Sequence, residues 1–144
     1  MVSRNELGDE GATILCNALR ESTVTKVEEL DLSYNDIGPD GAKAIAALCA
    51  VCASLTSLSL RKNPLGDEGV EVLAQGIKAS KTLKTLDLSM PDMGRFKIGP
   101  RGATAIADAL SVSSSLTSLS TAYNDISGDG AQQLAAAVLS KPTL

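Results

Sequence analysis

Five glycines set a register that few folds can satisfy: Gly11, Gly41, Gly69, Gly102 and Gly130. The step is 28 residues from Gly41 to Gly69 and again from Gly102 to Gly130, but 33 from Gly69 to Gly102. A recurring period of about 20–50 residues points to stacked structural units. The longer step holds an insertion. LDLSYNDIGPDGA (Leu30 to Ala42) becomes LDLSMPDMGRFKIGPRGA (Leu86 to Ala103), five residues longer.

After each anchor, apolar residues fall at +1, +4, +5 and +8, as in Ala12, Leu15, Cys16 and Leu19, or Val70, Leu73, Ala74 and Ile77. That spacing draws one apolar stripe on a helix. Before each anchor the period drops to two, which predicts a strand with one buried face. Its inward residues are Leu30 and Leu32, Leu58 and Leu60, Leu86 and Leu88, and Leu119 with Thr121. Thr121 puts a hydroxyl where sister strands bury Leu, which should weaken the last strand. Each unit is then strand, tight turn, helix and return loop, and none can bury its apolar faces alone. One domain over 1–144 is expected, with a partial first unit at 5–26 and units at about 27–54, 55–82, 83–115 (with the insertion) and 116–143.

The shared phrase LxxLxLxxNxIGxxGAxxLAxAL resembles the leucine-rich repeat of the ribonuclease-inhibitor type, found also in NOD-like receptors and in Ran GTPase-activating proteins. The resemblance covers nearly the whole chain and recurs four to five times. It implies an α/β, right-handed solenoid bent into a horseshoe, with a parallel sheet on the concave side and helices on the convex side. A barrel or a doubly wound sheet also alternates strand and helix, but such folds do not repeat sequence this closely. Neither end shows a cap of different composition. A slice of a longer array is expected, or a fragment that self-associates end to end.

With two Tyr, one Phe and no Trp among 144 residues, the core must be aliphatic. The apolar run Ala44 to Leu55 is too short to cross a bilayer, and the N-terminal residues lack the apolar stretch of a signal peptide. Three unpatterned cysteines fit a reducing compartment, so a cytoplasmic location is expected. A net charge of −4 argues against general nucleic-acid binding. The charge is uneven, at −5 over residues 1–60, +3 over 61–101 and −2 over 102–144.

Several motifs carry a structural explanation. Asn35, Asn63 and Asn124 sit where the chain leaves its strand, and stacked copies would bridge neighbouring turns as a ladder. In the fourth unit Pro91 takes the Asn place counted from the strand, and Phe96 takes it counted from the helix. Cys49 and Cys52 form CxxC near a helix end, where the dipole disfavours thiolate, so packing accounts for them better than redox or zinc chemistry. GRFKIGPRG lacks the Lys of a phosphate loop, and Pro100 removes a backbone N–H. The chain has no histidine, hence neither the commonest general base nor a Ser-His pair. Its acidic residues cluster in GDEG and NDIGPDG turns, where helix starts favour negative charge. No catalytic, cofactor or metal site is expected.

A partner could dock on the concave floor, where Asp31 and Ser33 point outward, or on the strand-end rim. That rim should carry Tyr34, Arg61, Lys62, Met90 and Tyr123. The insertion would project from it, placing Met93 and Phe96 between Arg95, Lys97 and Arg101 as a docking patch for an acidic protein partner. A tolerated surface insertion, with Phe96 folded back on the core, is the other reading. The expected function is therefore a non-catalytic protein–protein interaction module. A GTPase activator like the Ran activators and a structural spacer in a larger sensor or cytoskeletal protein are the alternatives.

Overall fold

The structure is a computed structural model and describes residues 4–24, 26–91 and 96–141. Helix α1 (Gly8–Glu21) leads into β1 (Glu29–Asp31), α2 (Pro39–Val51), β2 (Ser57–Ser59), α3 (Gly66–Ala79), β3 (Thr85–Asp87), α4 (Pro100–Val112), β4 (Ser118–Ser120) and α5 (Gly128–Leu139). The strands form one open parallel sheet in chain order. Leu30, Leu58, Leu86 and Leu119 lie in a row across it. Each helix packs on the next. This is a leucine-rich-repeat solenoid, as expected.

The strands are shorter than the alternation predicted, because the chain turns toward the helix after three residues. Pairing nevertheless continues past their ends. Leu32 N–H donates to Ser59 C=O at 2.9 Å, and Leu88 N–H to Ser120 C=O at 2.8 Å. The inward leucines and the helix stripe meet in an aliphatic core that includes Leu32, Ile45, Leu58, Leu73, Leu86 and Ile106. Small residues let the helices approach. A Cβ at Gly76 would stand 2.4 Å from the carbonyl oxygen of Ala46, so only glycine fits there. The last unit is less covered. Leu119, Leu134 and Val138 are half-buried and Leu139 is exposed.

The asparagine ladder forms. Asn63, 4% exposed, accepts from the N–H groups of Asn35 (3.1 Å) and Ile37 (3.0 Å). Its amide donates to Leu32 C=O (2.9 Å) and to Leu60 C=O in its own unit (3.0 Å). Asn124 likewise accepts from Ile98 N–H (2.9 Å) and donates to Leu88 C=O (2.9 Å). Where the fourth unit lacks its Asn, the main-chain contact of the ladder place remains. Phe96 C=O accepts Gly66 N–H at 3.0 Å, as Asn35 C=O accepts Gly8 N–H at 2.8 Å. Phe96, not Pro91, thus fills the ladder place. Leu65 N–H, without a neighbouring Asn, bonds to Asn63 C=O at 2.8 Å.

Two of the acidic-turn residues cap helix starts across units. Asp9 and Asp67 cap the helix of the following unit rather than their own. Asp9 Oδ1 accepts from Gly38 and Gly41 N–H (2.7 and 2.8 Å) at the start of α2. Asp67 Oδ1 accepts from Gly99 and Gly102 N–H (2.8 and 2.7 Å) at the start of α4. A carboxylate is favoured at both ends by the exposed N–H groups and the helix dipole. A Cβ at Gly102 would meet Asp67 Oδ1 at 2.7 Å, which explains the anchor glycine in that unit. Pro39 and Pro100 open these two helices, where a missing N–H costs nothing.

Cys16 and Cys49 are buried in the core and Cys52 is half-buried. Burial pushes the Cys16 thiol up from 9.0 to about 11 and the Cys49 thiol up to about 12. Both folded values lie above the unfolded one, so the stability held by neutral thiols is complete below pH 9. It is lost as pH rises from there through the folded values. Three outcomes follow. Native protein should be alkylated by iodoacetamide at pH 8 on Cys52 alone, as read by mass spectrometry. In urea unfolding at pH 7, Asn63→Ala should cost about 2–3 kcal/mol, because it strands buried groups in two units. Asp67→Ala should cost about 1–2 kcal/mol and Asp67→Asn less, since the amide keeps an acceptor.

Candidate functional site

The residue before the ladder position has left-handed backbone in each of four units: Arg4 (φ 59°), Tyr34 (59°), Lys62 (54°) and Tyr123 (61°). Few non-glycine residues adopt this conformation. Its recurrence identifies it as part of the repeat's own turn, which swings the next residue inward as the ladder Asn. The same swing leaves these side chains on the strand-end rim. In the fourth unit Met90 precedes Pro91. It is 8% exposed, with its N–H bonded to Ala122 C=O at 3.0 Å. Met90, expected on the rim, is therefore a core residue.

The rim residues engage one another across units. Tyr34 lies between two cations, with the Arg4 guanidinium carbon 4.7 Å and Lys62 Nζ 5.2 Å from its ring centre. Arg61 donates to Ser89 Oγ at 2.9 Å, and Ser89 Oγ donates to Asp87 Oδ1 at 2.6 Å. Hydrogen bonding from Arg61, ahead of its charge, holds the half-buried Tyr34 phenol below its ordinary value, and the same contact raises Arg61. Cation–ring contacts of this kind are worth about 0.5–1 kcal/mol at exposed sites. They fix long side chains that would otherwise lose entropy on binding.

The concave floor is tighter than expected. Ser33 and Ser89 are buried, not outward contacts. Asp31 is half-buried, and its Oδ1 accepts from Ser33 N–H (3.0 Å) and Ser33 Oγ (2.5 Å), so it holds the turn. Arg101, expected in the basic patch, makes a two-pronged pair with Glu71 at 2.8 and 3.0 Å. Met93 and Arg95 lie outside the described residues. Lys97 is half-buried and Tyr123 is 64% exposed.

Phe96 does not fold back onto the core. It is 58% exposed and lines a groove of about 370 Å³ on the helix-start side. The groove's other walls include Pro39, Pro64 and Leu65, with Asp9, Asp36, Asp67 and Glu68. Reading the units one at a time misses Arg4 and the Asp87–Ser89 pair. Aligning them on the ladder would have found Arg4, since Arg4-Asn5 matches Tyr34-Asn35. Among the described residues no group of three or more His, Cys, Asp or Glu could hold a metal ion. No helix among them is long and apolar enough to cross a membrane.

Comparison with known proteins agrees with this geometry. The family described as Leucine Rich repeat matches residues 25–46, 51–74 and 112–135. RAN GTPase-activating protein 2 of Arabidopsis thaliana is 35% identical over 128 residues, 89% of this chain and 23% of that protein. Ribonuclease inhibitor of Sus scrofa is 32% identical across 96% of this chain and 29% of its own length. NACHT, LRR and PYD domains-containing protein 5 of Mus musculus is 32% identical across 94% of this chain and 11% of its own length. The chain thus spans less than a third of the length of these relatives. A solved structure titled Leiomodin-1 Actin-Binding Site 2 superposes with a TM-score of 0.74, covering 96% of this chain and 76% of that one. At 19% identity it shows the fold alone. Repeat, sheet, ladder and relatives agree, and the chain belongs to the leucine-rich-repeat proteins of the ribonuclease-inhibitor type.

Proposed function

We propose that this chain is a non-catalytic protein-binding module that meets its partner on the strand-end rim and the adjoining concave face. The observation that carries this reading is the cross-unit array of Arg4, Tyr34, Lys62 and Arg61. Tyrosine and arginine are the residues most often found as energetic anchors in interfaces. Here they are held in place before binding, and the array presents cations, which suits an acidic partner surface. The half-buried floor beneath supplies area rather than reactive groups. A cytoplasmic location is in keeping with this role.

A second reading has one observation behind it, the likeness to RAN GTPase-activating protein 2. Under it the chain would act on a small GTPase. The Arg61 contact to Ser89 and the Arg101 pair with Glu71 engage the described guanidinium groups beyond Arg4 and Arg20 in internal bonds. That arrangement favours binding over catalysis.

The test is quantitative capture from cytosol with the full chain and with the Tyr34→Ala/Arg61→Ala double variant as baits. Both side chains are partly exposed, so circular dichroism and the urea midpoint should barely move. Specific partners should fall about tenfold or more on the variant. An unchanged partner profile would overturn the rim as the binding surface. In parallel, the chain should leave GTP hydrolysis by a GTP-loaded Ran-type GTPase unaccelerated, and a rate increase would favour the second reading.

A further inference from the structure

The groove beneath Phe96 stands apart from the rim array and differs from it in chemistry. Phe96 is the only Phe in the chain, and its ring is largely exposed. Its backbone is nevertheless tied down, since its carbonyl accepts the Gly66 N–H at 3.0 Å. An exposed aromatic on a fixed main chain loses little freedom when covered. Pro39, Pro64 and Leu65 continue the apolar surface beside it.

Among the described residues, the charged side chains that line this groove are all acidic. Asp9, Asp36, Asp67 and Glu68 line the groove, and no Lys or Arg does so among the described residues. Asp9 and Asp67 each commit one oxygen to two backbone N–H groups, while Asp36 and Glu68 are exposed. The charge of Arg101 reaches Asp67 and Glu68. Its guanidinium is already held by Glu71.

An apolar ring framed by carboxylates is complementary to a side chain that is flat, cationic and able to bond sideways. Arginine meets all three needs, because its guanidinium stacks on a ring face while its edge donates to carboxylates. Lysine offers a point charge without the planar stack. A groove of about 370 Å³ accommodates one such side chain with an apolar neighbour.

We propose that the Phe96 groove docks an arginine-bearing segment of a partner protein, with the guanidinium over the Phe96 ring and against Asp36 and Glu68. This rests on the reading of the chain as a binding module and adds a second surface of opposite charge preference. A partner engaging both surfaces would present an acidic patch to Tyr34 and Arg61 and an arginine to Phe96.

The probe is the peptide Ac-Ala-Arg-Leu-Ala-NH2, titrated into the ¹⁵N-labelled full chain. Saturable amide shifts are expected at Gly38, Gly66 and Glu68, with little change at Tyr34 or Arg61. Phe96→Ala should weaken binding about tenfold, and Asp36→Asn/Glu68→Gln by a similar factor while flattening its salt dependence. The same peptide with Glu in place of Arg should give no saturable shifts. Absence of shifts at Gly66 with wild-type protein, or equal response to the Glu peptide, would overturn the proposal. Groove shifts that track protein concentration without peptide would also overturn it, by assigning the groove to a second copy. Tyr34→Ala/Arg61→Ala should leave peptide binding intact. Failure of the rim reading and failure of the groove are thereby separated.

Discussion

Every repeat leaves buried polar groups that only its neighbour can satisfy, and the rest of the structure depends on this. A unit of about 28 residues has too little apolar area to fold alone. Burying its turn would also strand backbone N–H and C=O groups at a cost of about 1–3 kcal/mol each. Asn63 removes that cost by serving its own unit and the one before it. No polar side-chain atom buried among the described residues lacks a partner. Stacking is therefore a hydrogen-bonding requirement as much as a hydrophobic one.

The aspartate caps add a second, coarser period. Asp9 reaches α2 and Asp67 reaches α4, while Pro39 and Pro100 stand at the corresponding place in the second and fourth units. Units one and two, and units three and four, are thus clasped in pairs. The insertion falls in the second unit of its pair, between strand and helix, where the ladder Asn would otherwise be required. Its cost is small because the chain rejoins the ladder at Phe96, whose carbonyl makes the same backbone contact as that of Asn35, and at Ile98, whose N–H reaches Asn124.

The same turn geometry produces two surfaces of different character. Left-handed backbone before the ladder residue turns Arg4, Tyr34 and Lys62 outward, where cations from adjacent units sandwich a ring. Beyond the ladder, the helix starts attract carboxylates, and these gather around Phe96. Attraction between exposed charges fades beyond a Debye length of about 8 Å in physiological salt. Each patch can therefore act on whatever lies against it despite the modest net charge of the chain.

The repeat, the strand–helix alternation, the ladder asparagines and the aliphatic core were all legible from local pattern. Spacing along the chain maps directly onto a face when every unit has the same shape, so Leu30, Leu58, Leu86 and Leu119 had to form a row. The candidate site was less legible. Met90 reads as a rim residue by position yet is buried, Asp31 reads as a contact yet holds a turn, and Asp67 reads as helix-start chemistry with no sign that the helix it caps is the next one. Asp31 is claimed by its own turn, through Ser33. Met90 and Asp67 depend instead on which groups of the neighbouring unit arrive within about 3 Å, a distance set by stacking rather than by order in the chain. Sequence alone determined that the units are alike and must stack. Only the tertiary structure decided which polar groups are consumed by stacking and which remain on the surface, because hydrogen-bond partners here lie some 26–36 residues apart.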